Sequence, residues 1–269
     1  MTSPTQTDLF PVAATASTAI RFVIFSSYGN DSCALIQWAH EWGLEGVAVV
    51  YSDTGWATAA WAERVEKMEA WAQSLGFATY RTSSIGFANL AREKKGFPTQ
   101  RFQWCSWRLK IEPGMRWLAE HDPEKRAICI VGVRHEEAKN PNDGRAQWPG
   151  FSPKSGNHGN RAVLAPFVEM KEEGRNALLA RAGIEVLPHR SRECRCINAN
   201  KADLRLFDQA DIEAIAALEA EVGKTMYRPH RSMGAKGIHE IIKWAHSPRG
   251  QYEPPEEPAA VCDSMWCEQ

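Results

Sequence analysis

Between residues 21 and 167, short β-rich apolar runs alternate with amphipathic stretches, and few architectures accept that order. The runs are RFVIFS (21–26), GVAVVYS (46–52), FATYRTS (77–83) and AICIVGV (127–133), with AVLAPF (162–167) a weaker fifth. DSCALIQWAHEWG, ATAAWAERVEKMEAWAQSLG and RLKIEPGMRWLAEH lie among them and repeat apolar residues at helical spacing. Strands joined by helical crossovers pair in parallel and are covered on both faces. The expected fold class is therefore α/β, a doubly wound, mostly parallel sheet with a helical C-terminal region. Ligands of such sheets bind at the carboxyl ends of the strands.

The organisation read from the pattern has four parts. Residues 1–19 form a loose leader, 20–168 an α/β domain, 169–246 a helical region and 247–269 an extended, Pro- and Glu-rich tail bearing cysteines. A formal net charge of −1 excludes a chain-wide attraction to nucleic acid or anionic membrane, so any such contact needs a local patch. The sequence shows no apolar run long enough to span a bilayer and no secretory leader pattern, and a cytoplasmic location is expected. In that compartment seven cysteines point to metal or thiol chemistry rather than to disulfides. Trp38, Trp42, Trp61 and Trp71 stand at helical spacing and are expected in the core, as are Cys33 within a helix and Cys129 within a strand.

The first run feeds SSYGNDS (26–32) and then a helix. A strand, a turn with glycine and a helix start present backbone N–H groups and the positive end of a helix dipole to an anion. Gly29 allows close approach, Ser27 and Ser32 add hydroxyls, and Asp31 can cap the helix or hold a metal. The Gly-Lys-Ser/Thr ending of a Walker A loop is absent.

This stretch resembles the PP-loop of adenine nucleotide α-hydrolase-like enzymes, most closely the phosphoadenosine phosphosulfate (PAPS) reductase superfamily. Four further stretches agree in order: VVYSDTGW (49–56), WCSWRLKIEP (104–113), VGVRHEEA (131–138), and LAPFVEM followed by a helix and GIEV. The resemblance covers about residues 20–205 and makes 20–168 a nucleotide-binding domain. It implies that Ser27, Gly29, Asp31 and Ser32 hold the phosphates of ATP or PAPS, and that Asp53, Thr54 and Gly55 line the same cleft. Arg134 and Lys110 would neutralise phosphate or sulfate, which makes Asp31, Lys110 and Arg134 the implied catalytic set, with Mg²⁺ assisting. Two positions depart from the pattern: Tyr28 replaces a small residue, and Asn30 stands where many ATP pyrophosphatases carry lysine.

Cys105, Cys194, Cys196, Cys262 and Cys267 fall in polar surroundings in distinct segments. Thiolates are the preferred ligands of iron–sulfur clusters and structural zinc. The resemblance favours a [4Fe–4S] cluster on Cys105, Cys196, Cys262 and Cys267, with Cys194 spare or exchanging with Cys196, and with zinc as the alternative. Cys267 has a rival role as a tail nucleophile. Lys224, Arg228, Arg231 and Lys236 beside Tyr227, His230 and His239 form a basic stretch that is either a nucleic-acid contact or a solvated loop.

The expected function is ATP-dependent adenylation of an acceptor, with pyrophosphate release, ahead of sulfur transfer. The acceptor could be a nucleic acid, and a sulfur donor is required. The alternatives are reduction of PAPS or adenylyl sulfate, with a thioredoxin-like reductant as partner, and a non-catalytic nucleotide-binding partner. A homo-oligomer is left open.

Overall fold

The computed structural model describes residues 19–99, 101–138, 140–142, 144–227 and 237–248. The leader, the middle of the basic stretch and the tail with Cys262 and Cys267 lie outside them. Six strands form one sheet in the order β3-β2-β1-β4-β6-β5. β1 (Phe22–Phe25), β2 (Val47–Asp53), β3 (Ala78–Ser83), β4 (Ile128–Ile130) and β6 (Arg161–Leu164) pair in parallel, and β5 (Phe151–Ser155) pairs antiparallel with β6. The doubly wound, mostly parallel sheet is the fold expected from the alternation. β1 and β2 are nearly continuous apolar runs because helices cover both their faces.

Helices α1 (Asn30–Glu41) and α2 (Ala59–Ser74) pack on one face through Leu35, Ile36, Trp61, Val65 and Met68. α5 (Glu112–His121) covers the other through Trp117 and Leu118, against Val23, Val50 and Cys129. The short α3 (Phe87–Lys94) follows β3, and α4 (Trp104–Ser106) leads into a π-helical turn, Trp107–Ile111, that runs directly into α5. Pro113 explains the turn: it has no N–H to give the Leu109 carbonyl, and its ring would clash there, so the helix widens by one residue.

α6 (Glu172–Arg181), grouped by the sequence pattern with the helical region, packs Leu178 and Leu179 into the sheet's own core. A second core unites α7 (Lys201–Leu204), α8 (Gln209–Val222) and α9 (Ile238–His246) with α3, through Phe87, Leu90, Ile215, Leu218 and Ile241. The two cores meet across an irregular segment, 184–200, laid over the carboxyl end of the sheet.

Cys33 and Cys129 are fully buried, and Trp61 is core, as expected. Trp42 is 69% exposed, contrary to expectation, because it stands at the C-cap of α1, beyond the buried face. Tyr227 is buried in the second core rather than displayed among cations. The flanks of the basic stretch are tied together by buried Glu219, whose carboxylate accepts from Met226 N–H (2.7 Å) and Ile238 N–H (2.9 Å). No helix among the described residues is long and apolar enough to cross a membrane.

Candidate functional site

The turn after β1 is built to expose its N–H groups. Trp61 Nε1 donates to the Ser27 carbonyl (3.2 Å) and Arg64 Nε to the Tyr28 carbonyl (2.8 Å), so α2 draws these carbonyls toward itself. Tyr28 adopts a left-handed backbone (φ 56°), stabilised by burial of its ring, by stacking at 5.9 Å on Tyr51, and by Ser26 Oγ accepting from its N–H (3.0 Å). Gly29 caps α1 without a side-chain acceptor, and Cys33 N–H bonds back to the Gly29 carbonyl (3.0 Å). The N–H groups of Asn30, Asp31 and Ser32 therefore have no acceptor within the helix, at its positive end. A Cβ at Gly29 would stand 3.3 Å from Ser191 Cβ, so glycine also lets the 184–200 segment close over the turn.

Two buried guanidiniums flank Asp31. Arg134, 4% exposed at the end of β4, donates to Asp31 (2.8 Å), Glu136 (2.6 Å) and Glu137 (3.2 Å). Arg175 on α6, 6% exposed, lies 3.7 Å from Asp31 and 2.7 Å from Glu172. A buried guanidinium without carboxylates is costly, which accounts for the company Arg134 keeps. Any anion reaching Arg134 competes with these carboxylates. Glu137 is suited to yield: burial and the nearby Asp31 charge both push its carboxyl above the ordinary range.

Below the turn opens a cavity of about 470 Å³. Ser27, Asp31, Ser32, Lys110, Glu137 and Glu193 make it polar at one end, while Phe25, Val50, Met115, Leu118 and Val133 supply apolar wall. Thr54 is fully buried and donates to the Glu193 carbonyl (2.6 Å). Gly55 takes a positive φ of 61° and its N–H is held by Asp53 (2.8 Å). Asp53 thus shapes the turn from an exposed position instead of lining the cleft; its carboxylate points to its own backbone two residues on, a common use of aspartate at strand ends.

Segment 184–200 brings the thiols to this place. The Asn30 amide donates to the Leu187 carbonyl and accepts from its N–H, both at 2.9 Å, so Asn30 acts as a staple. Farther along, Cys194 pairs with Trp56 in a parallel bridge, and Arg195 N–H donates to the Trp56 carbonyl (3.0 Å). Buried Asp211 anchors the segment to α8 by accepting from Arg192 (3.2 Å) and Arg195 (2.8 Å). Cys105, Cys194 and Cys196 then line one pocket of about 100 Å³.

Lys110 and Glu193 are ion-paired and line both this pocket and the larger cavity. Burial opposes the Lys110 charge, but Glu193 and the thiols outweigh it and hold the ammonium above its ordinary range. Burial raises the Cys194 thiol, and burial with Cys196 nearby raises Cys105. The five described cysteines are free.

The structure thus gathers Ser27, Gly29, Asp31, Ser32, Arg134 and Lys110 at one cleft, with Thr54 and three of the five candidate thiols beside it. Among the described residues no group of three or more His, Cys, Asp or Glu side chains is gathered closely enough to hold a metal ion. The soft donors suit iron–sulfur or zinc in chemistry, and the two remaining candidates, Cys262 and Cys267, lie outside the described residues. Arg175, Glu137 and Glu193 join the site unforeseen. Glu193, adjacent to the Cys-x-Cys pair, is the one that the sequence marked by position.

No protein-family model and no curated protein matches the chain. Among solved structures it is similar to a PAPS reductase from Candida auris in a phosphate complex, with 13% identity, 62% of this chain and 74% of that one covered, and a TM-score of 0.43. It is similar to the U34-tRNA thiolase NcsA from Methanococcus maripaludis with its [4Fe–4S] cluster, with 10% identity, 84% and 72% covered, and a TM-score of 0.45. A third is the Candida glabrata FMN adenylyltransferase, with 13% identity, 62% of this chain but only 47% of that one covered, and a TM-score of 0.38.

Proposed function

We propose that the chain is a PP-loop enzyme of the PAPS reductase type that binds ATP beneath the 26–32 turn and adenylates an acceptor for sulfur transfer. The observation that carries this reading is the shared wall: Lys110 and Glu193 border both the nucleotide-sized cavity and the thiol pocket. The N–H groups at the start of α1 bind the phosphates, and Arg134 and Arg175 take up charge as carboxylates give way. Mg²⁺ arrives with the nucleotide's phosphate oxygens. An acceptor oxygen attacks the α-phosphorus and the bond to pyrophosphate breaks; a sulfur nucleophile then attacks the activated carbon and AMP leaves. Cys105, Cys194 and Cys196, with Cys262 and Cys267 from the tail, are the residues that would hold an iron–sulfur cluster or zinc. Such a group supplies a binding point for sulfur.

Asn30 favours a second reading. Its amide is taken up by Leu187, so no cation stands there to meet departing pyrophosphate. In that reading a thiolate attacks the sulfur of PAPS or adenylyl sulfate, the S–O bond breaks, adenosine 3′,5′-bisphosphate or AMP respectively leaves, and a dithiol reductant then displaces sulfite from the enzyme-bound thiosulfonate and restores the thiol.

Anaerobic titration with ATP and with PAPS, scoring binding and pyrophosphate release together, separates the two. ATP is expected to raise the melting temperature, as a ligand of the native state must, and to yield pyrophosphate. Binding of PAPS alone, without ATP cleavage, selects the reductive reading, and binding of neither nucleotide defeats both.

A further inference from the structure

The 470 Å³ cavity has a second polar end, which the phosphate chemistry leaves unused. Ser27, Asp31, Ser32 and Lys110 stand at the first, and Ser52 spends its hydroxyl there on the Lys110 carbonyl (3.4 Å). From Lys110 the wall continues along α5 through Met115 to Leu118, about 12 Å farther at helical rise. Asn157 and His158 line the cavity from the turn between β5 and β6. Arg161 places that turn against the Leu118 end, because its guanidinium donates to the carbonyls of Leu118 (2.8 Å), Gly159 (3.4 Å) and His158 (3.5 Å).

The turn is fixed before anything binds. Gly159 and Asn160 both take left-handed backbones (φ 62° and 63°), and Asn160 N–H closes the turn on the Ser155 carbonyl (2.8 Å). A Cβ at Gly159 would stand 2.5 Å from an Arg161 nitrogen, so glycine is what lets the buried guanidinium approach. The polar groups at the tip are nonetheless uncommitted. The Asn157 amide is exposed at the rim and has no hydrogen-bond partner among the described residues. His158 is half-buried with Nδ1 2.9 Å from Ser155 Oγ, and burial lowers its affinity for a proton. An amide and a neutral imidazole carry no charge to hold a phosphate, so this end suits a neutral polar group.

We propose that Asn157, with His158 beside it, reads the nucleobase of the nucleotide bound in this cavity and selects adenine over a 6-oxopurine. Phe25, Val50, Met115 and Leu118 supply the apolar wall that a flat base needs. The Asn157 amide offers an acceptor and a donor side by side, and these match the 6-amino group and N7 of adenine. A 6-oxopurine presents two acceptors along the same edge and leaves the amide oxygen without a donor. The inference rests on the nucleotide-binding reading above and adds the residue that sets its base specificity.

The test is calorimetric titration of the full chain with ATP, with inosine triphosphate and with 7-deaza-ATP, which lacks the N7 acceptor. The native chain is expected to bind ATP more tightly than either analogue by on the order of tenfold. Asn157→Ala is expected to bring the three to similar affinity. Its melting temperature should stay unchanged, because the exposed amide holds nothing in the free protein. Equal native affinity for all three, or a preference that survives Asn157→Ala, overturns this inference and leaves the adenylation reading standing. Should the chain take PAPS and not ATP, adenosine 3′,5′-bisphosphate against its inosine counterpart gives the same comparison with the same two outcomes. A chain that binds none of these nucleotides defeats the nucleotide-binding reading, and this inference falls with it.

Discussion

Single residues in this molecule owe their state to what burial surrounds them with. Asp122, at the C-cap of α5, is buried with Arg161, whose Nε donates to it at 2.5 Å, while the N–H groups of Arg126 and Ala127 donate at 2.9 and 3.1 Å. Burial by itself would raise this carboxyl, but the guanidinium and the two N–H groups outweigh it and leave it below the ordinary aspartate value. A depressed folded value means that the unfolded chain binds the proton more readily. The stabilisation is therefore full above the unfolded aspartate value, about 3.9, and is lost as pH falls through the lower folded one. Urea unfolding of the native chain is expected to show stability falling as pH drops below about 4. Asp122→Asn should be less stable at neutral pH and show a shallower fall; an equally steep fall in the variant would place the acid sensitivity elsewhere.

Among the elements, the 184–200 segment matters most, because it has little regular structure and still seats Leu187 against Asn30 and places Glu193, Cys194 and Cys196 at the thiol pocket. Its hold on α8 runs through Asp211, 1% exposed and shared by Arg192 and Arg195. Removing one member of a buried ionic group costs about 3–5 kcal/mol. Asp211→Ala is expected to lower the melting temperature and to speed alkylation of Cys194 and Cys196, with Cys33 and Cys129 remaining slow because burial raises both thiols to about 12. Equal speeding at all five described cysteines would mean global unfolding rather than release of the segment. β1, β2 and β4 were legible as apolar runs with turn residues behind them, and β3 by its β-branched and aromatic residues. β5 was not: FSPKS is polar and contains Pro153, and only its pairing with β6 makes it a strand. The π turn was hidden too, since Pro113 reads as a helix start until the preceding turn is seen to continue through it.

At the scale of the whole molecule, motif order located the cleft, because Ser27 and Asp31 follow β1 and Arg134 follows β4, while Lys110 reaches it from the turn that leads into α5. The sequence could not show that Arg175 reaches Asp31, since α6 seats it there through packing of Leu178 and Leu179 on α1. Nor could it show Arg134 occupied by three carboxylates. The thiols divide in the same way: Cys105, Cys194 and Cys196 line one pocket, and Cys262 and Cys267 lie outside the described residues. Iron and labile sulfide measured on anaerobically purified protein are expected to be lost in Cys105→Ser and in Cys262→Ser with Cys267→Ser, and retained in Cys33→Ala. Retention of iron in the tail variant would release Cys262 and Cys267 from the ligand set and leave Cys267 its nucleophilic role.

The antiparallel β5 closes one margin of the sheet with Pro153 and Lys154. A proline there offers no N–H to an incoming strand, and an ammonium resists burial, so lateral growth of the sheet into aggregates is blocked on that side. The opposite margin, β3, carries Thr79, Arg81 and Ser83 and no proline. Concentrated or partly unfolded protein should therefore stick together through β3, which makes that strand the place to add a charge or a proline when a more soluble form is wanted.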